Sequence, residues 1–157
     1  MRFVFLIVAV LTACLPSTAA SQGRPDFSAE WTLDRPSSTL QREMGAVESG
    51  VARIQHREPS FGFTRTFVIK GKPIDGSYEI QTDGREVARS DRGLASRSRM
   101  EWQGDSLLLT GLIDGPRGTI SNVVRYELLD GGRTLRAVED FGGAGPAHHN
   151  VWMFARR

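Results

Sequence analysis

The chain has 157 residues, 20 lysines plus arginines against 18 acidic residues, and a formal net charge of +2. Such scattered near-balance lacks the clustered basic face of a nucleic-acid binder, so no nucleic-acid partner is expected. The single cysteine, Cys14, excludes a disulfide framework and a cysteine-rich metal site.

The first twenty residues read as an export signal. Met1-Arg2 is a minimal positive start, Phe3 to Leu11 an apolar run, Pro16 a helix breaker, and Ser17-Thr18-Ala19-Ala20 a small-residue stretch for a signal peptidase. The apolar run is shorter than the roughly 20 residues of a transmembrane span, so no such span is expected. Residues 1–20 are then a signal peptide and residues 21–157 a single domain, periplasmic or extracellular. Loss of Arg2 leaves a net charge of about +1. The alternative is that Leu11-Thr12-Ala13-Cys14 serves as a bacterial lipobox. Cys14 would then carry a lipid anchor and hold the chain at the outer membrane.

From Phe27 onward apolar and polar residues alternate, the period of a half-buried strand. Phe27, Ala29, Trp31 and Leu33 share one face, and Asp34-Arg35-Pro36-Ser37-Ser38 ends the strand. Over 39–50, Leu40, Met44 and Val47 fall at helical spacing, with Gly45 and Gly50 weakening and then stopping the pattern. This is the one expected helix, closing one end of a barrel, or else an ordered loop. Strands are expected over 51–56, 61–69, 77–82, 85–90, 94–102, 106–113, 119–129, 134–141 and 148–155.

Asp-Gly between alternating runs signals a hairpin, because both central turn residues take positive φ. It recurs at Asp83-Gly84, Asp114-Gly115 and Asp130-Gly131. Consecutive hairpins give an up-and-down meander. Left open, such a sheet would expose two edges, and closure removes them. The expected fold is all-β, an antiparallel meander of about 8–10 strands closed or nearly closed into a barrel.

The segment Asp26-Phe27-Ser28-Ala29-Glu30-Trp31-Thr32-Leu33-Asp34 resembles the opening strand of small secreted bacterial lipocalin-like proteins of the calycin type. Ile54 to Pro59, Tyr78 to Glu86, Glu101 to Leu107 and Tyr126 to Leu135 are similar to later strands of that group. The resemblance implies a lipocalin-like barrel with room for a small apolar molecule and no known substrate. In lipocalins a Gly-x-Trp on the first strand plugs the barrel floor, and a late arginine packs on the tryptophan. Here alanine stands for the glycine in Ala29-Glu30-Trp31, and Arg156 is the implied partner of Trp31 at the barrel end.

Arg65 shares its strand face with Phe61, Phe63, Phe67 and Ile69. A guanidinium in an apolar lumen is costly unless paired. It reads as an anchor for a fatty-acid-like or other anionic head group. The commoner alternative is a structural Arg–Glu pair, or an arginine at the barrel mouth with its charge in water. A shielded cavity is expected to be lined by Phe63, Phe67, Met100 and Val124. Tyr126, on the Ile120, Val124 and Leu128 face, turns its hydroxyl inward, and His56 completes the candidate ligand-binding set.

His148 and His149 are strand neighbours pointing to opposite faces, so they do not easily share an ion, although either could meet His56 or Asp140. Three histidines without repeated spacing read as ordinary turn and strand residues. Glu139 and Asp140 diverge in the same way. Trp31, Trp102, Trp152 and Phe154 read as packing. The stretch Gly142-Gly143-Ala144-Gly145 lacks the lysine and following helix of a phosphate loop, and there is no Gly-x-Ser-x-Gly elbow.

No catalytic residue, metal or cofactor is therefore expected. The leading expectation is a non-enzymatic exported barrel binding a small apolar or anionic amphipathic molecule. The alternatives are a solid structural barrel of the cell envelope, and a barrel isomerase or cyclase working through His56, Arg65 and Tyr126. Mass spectrometry of the exported protein is expected to find a free N-terminus near Ser21; a lipid on Cys14 would show anchoring instead.

Overall fold

The computed structural model describes residues 23–91 and 94–157. The expected signal segment with Cys14 lies outside the described residues, as do Arg92 and Gly93 of an expected turn. Period-two alternation delivers strands almost throughout: β1 (Ala29–Leu33), β2 (Val47–Arg57), β3 (Ser60–Ile69), β4 (Lys72–Gln81) and β5 (Val87–Asp91), then β6 (Leu94–Gln103), β7 (Ser106–Gly115), β8 (Gly118–Leu129), β9 (Thr134–Gly143) and β10 (His148–Arg156). All ten form one antiparallel sheet in the order β4-β3-β2-β1-β10-β9-β8-β7-β6-β5. The expected all-β meander is the fold. No helix of the described residues is long and apolar enough to cross a membrane.

Two local expectations are corrected. The helix over 39–50 is a 3-10 turn at Arg42–Ala46, and from Val47 the chain is already in β2. Val47 pairs with Ile69 and is 2% exposed, so burial in the sheet overrides its helical spacing from Met44. Asp83-Gly84 does not join a hairpin, because β4 and β5 lie at opposite edges of the sheet. Gly84 bends the chain at φ 78°, while Asp83 Oδ1 accepts the Arg85 backbone N–H at 3.0 Å. The other two Asp-Gly pairs do mark hairpins. Asp114 and Gly115 end β7 before the turn Pro116-Arg117. Asp130, Gly131 and Gly132 turn β8 into β9 with φ of 53°, 66° and 85°.

Closure has two parts. The first strand pairs with both the second and the last, Trp31 standing opposite Ala52 and Arg156. At the other side the edge strands β4 and β5 form no ladder with each other. Past the end of β4 the chain bridges to β6 instead, through Asp83 opposite Glu101 and Gly84 N–H to Met100 O at 2.9 Å. The barrel is thus nearly closed, with a seam between β4 and β5.

The inward face of one end is packed solid. Phe27, Trp31, Phe61, Met100, Leu107 and Leu135 are fully buried there. Trp31 donates its indole N–H to Phe27 O at 3.1 Å, and the Arg156 guanidinium lies 5.1 Å over the Trp31 ring. Towards the other end, Phe67 stacks on Trp152 at 4.9 Å and 12°. Gly50 makes room for this, since a Cβ there would overlap the Phe67 ring.

Glu58 staples the closed end at the foot of the seam. It accepts from Thr82 Oγ1 at 2.9 Å, from Trp102 Nε1 at 2.8 Å and from His56 Nε2 at 3.0 Å, so one carboxylate links the ends of β2, β4 and β6. The Phe27 backbone N–H donates to His56 Nδ1 at 3.4 Å, which assigns the proton of a neutral ring to Nε2, facing Glu58. Burial opposes ionisation of Glu58, but its hydrogen bonds from Thr82, His56 and Trp102 outweigh that and hold the carboxyl below its ordinary 4.5. A lowered folded value adds stability above about pH 4.5 and loses it as pH falls further. Glu58→Gln is therefore expected to be less stable than the native protein in neutral urea titrations, with the gap closing in acid. An equal gap at all pH values would remove the charge from the staple.

Candidate binding cavity

The ten-stranded wall encloses a cavity of about 820 Å³ above the packed floor. A barrel of about eight strands is just filled by its own side chains; a wider ring leaves space. The opening is rimmed by Arg42 and Met44 of the 3-10 turn, Pro116 and Arg117 of the β7–β8 turn, and Gly145 and Pro146 before β10. The segment expected to close one barrel end thus frames the mouth.

The wall is mostly apolar: Phe63 and Phe67 on β3, Leu109 on β7, Val124 on β8, Ala137 on β9 and Trp152 on β10. Besides Arg42, Glu43, Ser77, Arg117 and His148, five polar side chains line it: Arg65, Tyr78, Asn122, Tyr126 and Glu139. Each lies on its strand's inward alternation. Arg65 sits between Phe63 and Phe67, Tyr126 follows Val124, and Glu139 follows Leu135 and Ala137.

Arg65 stands opposite Gly76 of the edge strand, where the missing side chain leaves room for the guanidinium stem. Its Cζ lies 4.7 Å from the Phe67 ring centre. Among the described residues no carboxylate lies within 4.0 Å of it, so the structural Arg–Glu pair is absent there. Arg65 is half-buried, and both tyrosines lie within its electrostatic reach.

The Tyr78 and Tyr126 hydroxyls are 2.8 Å apart. One donates to the other, which leaves one hydroxyl proton for a further acceptor. Burial, the neighbouring Tyr126 and the hydrogen bond with it push the Tyr78 hydroxyl well above the ordinary 10.0, against the pull of Arg65. Burial also raises Tyr126, to about 12; the Tyr78 hydrogen bond lowers it, Glu139 raises it and Arg65 lowers it. Both are neutral donors at neutral pH.

Glu139 is held by three N–H groups: Asn122 Nδ2 at 3.1 Å, Asn150 Nδ2 at 2.8 Å and Trp152 Nε1 at 3.2 Å. Asn150 is fully buried and its Oδ1 accepts the Gln41 backbone N–H at 2.7 Å, tying the carboxylate to the segment at the mouth.

Of the residues singled out from the sequence, Phe63, Arg65, Phe67, Val124 and Tyr126 line the cavity. His56 and Met100 do not. His56 is near the end of β2, where its ring lies 5.7 Å from Phe61 and bonds Glu58. Met100 is fully buried in the packed floor. Both have the inward parity, but parity does not say how far along the axis a side chain sits. Trp31 and Arg156 meet at the opposite end from the mouth. His149 pairs with Asp140 at 2.7 Å on the outer face and His148 stacks on Phe141 at 4.7 Å. Among the described residues no three histidine, cysteine, aspartate or glutamate side chains converge.

Tyr78, Glu139, Asn122 and Trp152 are cavity residues that the sequence reading did not nominate. For Tyr78 the signal was present: it alternates with Ile80 and stands opposite Phe63. Glu139 has the same inward parity, yet only the neighbouring strands show its three donors.

No protein-family model and no curated protein sequence matches the chain. Solved structures do. Lipid binding protein 8 of Caenorhabditis elegans superposes with a TM-score of 0.58 at 10% identity, covering 83% of this chain and 95% of that one. A mutant of the REP1-NXSQ fatty acid transporter gives 0.52 at 15% identity, with 83% and 98% covered. Secretory abundant heat soluble protein 4 of Ramazzottius varieornatus gives 0.52 at 12%, with 87% and 99% covered. The chain therefore has a lipocalin-like barrel fold, with ten strands and a seam.

The sequence has two tyrosines, both in the cavity, so tyrosinate absorbance reports on it directly. A raised folded value adds stability below the ordinary value of about 10 and loses it as pH climbs towards about 12. At about pH 11 the folded protein is expected to show little tyrosinate and the denatured chain mostly tyrosinate. Full ionisation of both near pH 10 in the folded state would place the hydroxyls in water.

Proposed function

We propose that this barrel is a non-catalytic carrier for a single-chain amphipathic molecule with an anionic head, taken up outside the cytoplasm after export. The observation that carries the reading is Arg65, a guanidinium without a carboxylate partner among the described residues, set in an apolar cavity beside two neutral tyrosines. An anion there takes charge-assisted N–H bonds from Arg65 and an O–H bond from the tyrosine pair. The tail lies along Phe63, Phe67, Val124 and Trp152, where each buried methylene contributes about 0.8 kcal/mol. Tail length then sets affinity, and the head sets orientation.

Two fold neighbours support the ligand class by their descriptions, one a fatty acid transporter and the other a lipid binding protein. The separation of His56 from the cavity supports carriage over catalysis, since the set His56, Arg65 and Tyr126 does not converge. The apolar run and small residues before Ser21 support export.

Displacement of a fluorescent fatty-acid probe tests the reading. Arg65→Met is expected to weaken a long-chain carboxylate by roughly tenfold to a hundredfold, the loss of charge-assisted bonds, and to leave the matching alcohol nearly unchanged. Equal affinity of native and variant for the carboxylate would refute the anchor.

A further inference from the structure

Five charged side chains line this cavity: Arg42 and Glu43, which pair with each other at 3.7 Å, Arg117, and Arg65 and Glu139, which form no ion pair with each other. Arg65 is pinned over the Phe67 ring and Gly76 on one side. Glu139 is pinned by Asn122, Asn150 and Trp152 on the other. They are not within 4.0 Å of each other, yet the charges of both bear on the Tyr126 hydroxyl. Opposite charges in a low-dielectric space attract strongly, and long side chains close such gaps when free to do so. Here Glu139 is held by its three hydrogen bonds, and both side chains line the same cavity.

The unused bonding capacity on each side is of opposite kind. Arg65 offers guanidinium N–H groups, and one tyrosine hydroxyl proton stands beside it. On the other side a carboxylate has about four acceptor sites, and Glu139 uses three of them. A purely anionic head would satisfy the first side and leave a carboxylate unmatched beside it. A head group with an acid and an N–H-bearing cation satisfies both.

We infer that the cavity selects a dipolar head group: a single-chain amphiphile bearing an acid, held by Arg65, and a protonated primary amine, held by Glu139. This rests on the anion-binding reading of Arg65 and adds the second half of the head. Glu139 is then the specificity-determining residue. Its partner must donate N–H bonds, so a quaternary ammonium of equal charge is a poor substitute.

Competition against a fluorescent fatty-acid probe tests this with three ligands of matched chain length, below their micelle concentrations. These are a lysophospholipid with an ethanolamine head, one with a choline head, and the plain fatty acid. The native protein is expected to favour ethanolamine over choline by roughly tenfold or more, the scale of one charge-assisted hydrogen bond. In Glu139→Gln that ratio falls close to one, while fatty-acid affinity holds or rises because a carboxylate no longer faces the anion. Equal affinity for the two heads in the native protein overturns the inference, as does an unchanged ratio in a folded Glu139→Gln. If that variant does not fold, an N-acetylated ethanolamine lipid supplies the contrast in the native protein: weaker binding supports the amine contact, and equal binding overturns it. Fatty-acid binding without an amine preference sinks only this inference. Absence of binding by all three ligands sinks the anion-carrier reading beneath it.

Discussion

Everything in this molecule depends on a sheet that must meet itself. Ten antiparallel strands in one layer would leave two exposed edges and one uncovered apolar face. Bending the sheet into a nearly closed ring turns the apolar face into the interior and brings the two edges to a seam, where β4 and β5 form no ladder. The ring is joined through β1, which pairs with β2 and β10, and is drawn together at the seam by Glu58 and the Asp83–Glu101 bridge. Period-two alternation then has a fixed meaning: every second side chain points into one shared space.

That space is divided along the axis by side-chain size. At one end Phe27, Trp31, Phe61 and Met100 fill it, and the guanidinium of Arg156 rests over Trp31. Towards the mouth the ring is wider than its side chains, and Gly50 and Gly76 widen it further by yielding room to Phe67 and Arg65. The polar residues occur at this wider end. Buried polar groups require partners, and those of the cavity are partly partnered by each other, Tyr78 by Tyr126 and Glu139 by Asn122, Asn150 and Trp152. What remains unpartnered among the described residues of the cavity is chemically specific: the fork of Arg65, one phenol proton and an acceptor site on Glu139. A polar group that the fold does not satisfy is where a ligand can contribute most, because binding removes a desolvation cost already present.

The fold neighbours share this architecture at 10–15% identity. Such distance is consistent with what holds the barrel together. Alternation, turn chemistry and closure constrain the class of residue at each position far more than its identity. The polar residues that line the cavity are under no such constraint from the fold and need not be shared.

Much of the fold was legible in the sequence because its signals are local. Alternation gave the strands, and the glycines of Asp130-Gly131-Gly132 gave a turn that needs positive φ. Arg65 stood out as a charge at an apolar parity, and Val124 and Tyr126 followed from the same parity on β8. The failures share one cause. Val47 looked helical until Ile69 offered it a sheet partner, and Asp83-Gly84 looked like a hairpin until closure sent β4 and β5 to opposite edges. His56 and Met100 carry the inward parity but sit at the filled end. The chain by itself determined which side chains face in, because that depends on the strand's own period. Only the tertiary structure decided which of them share a height in the barrel and which touch, as with Tyr78 and Tyr126, because strand register is a property of pairs.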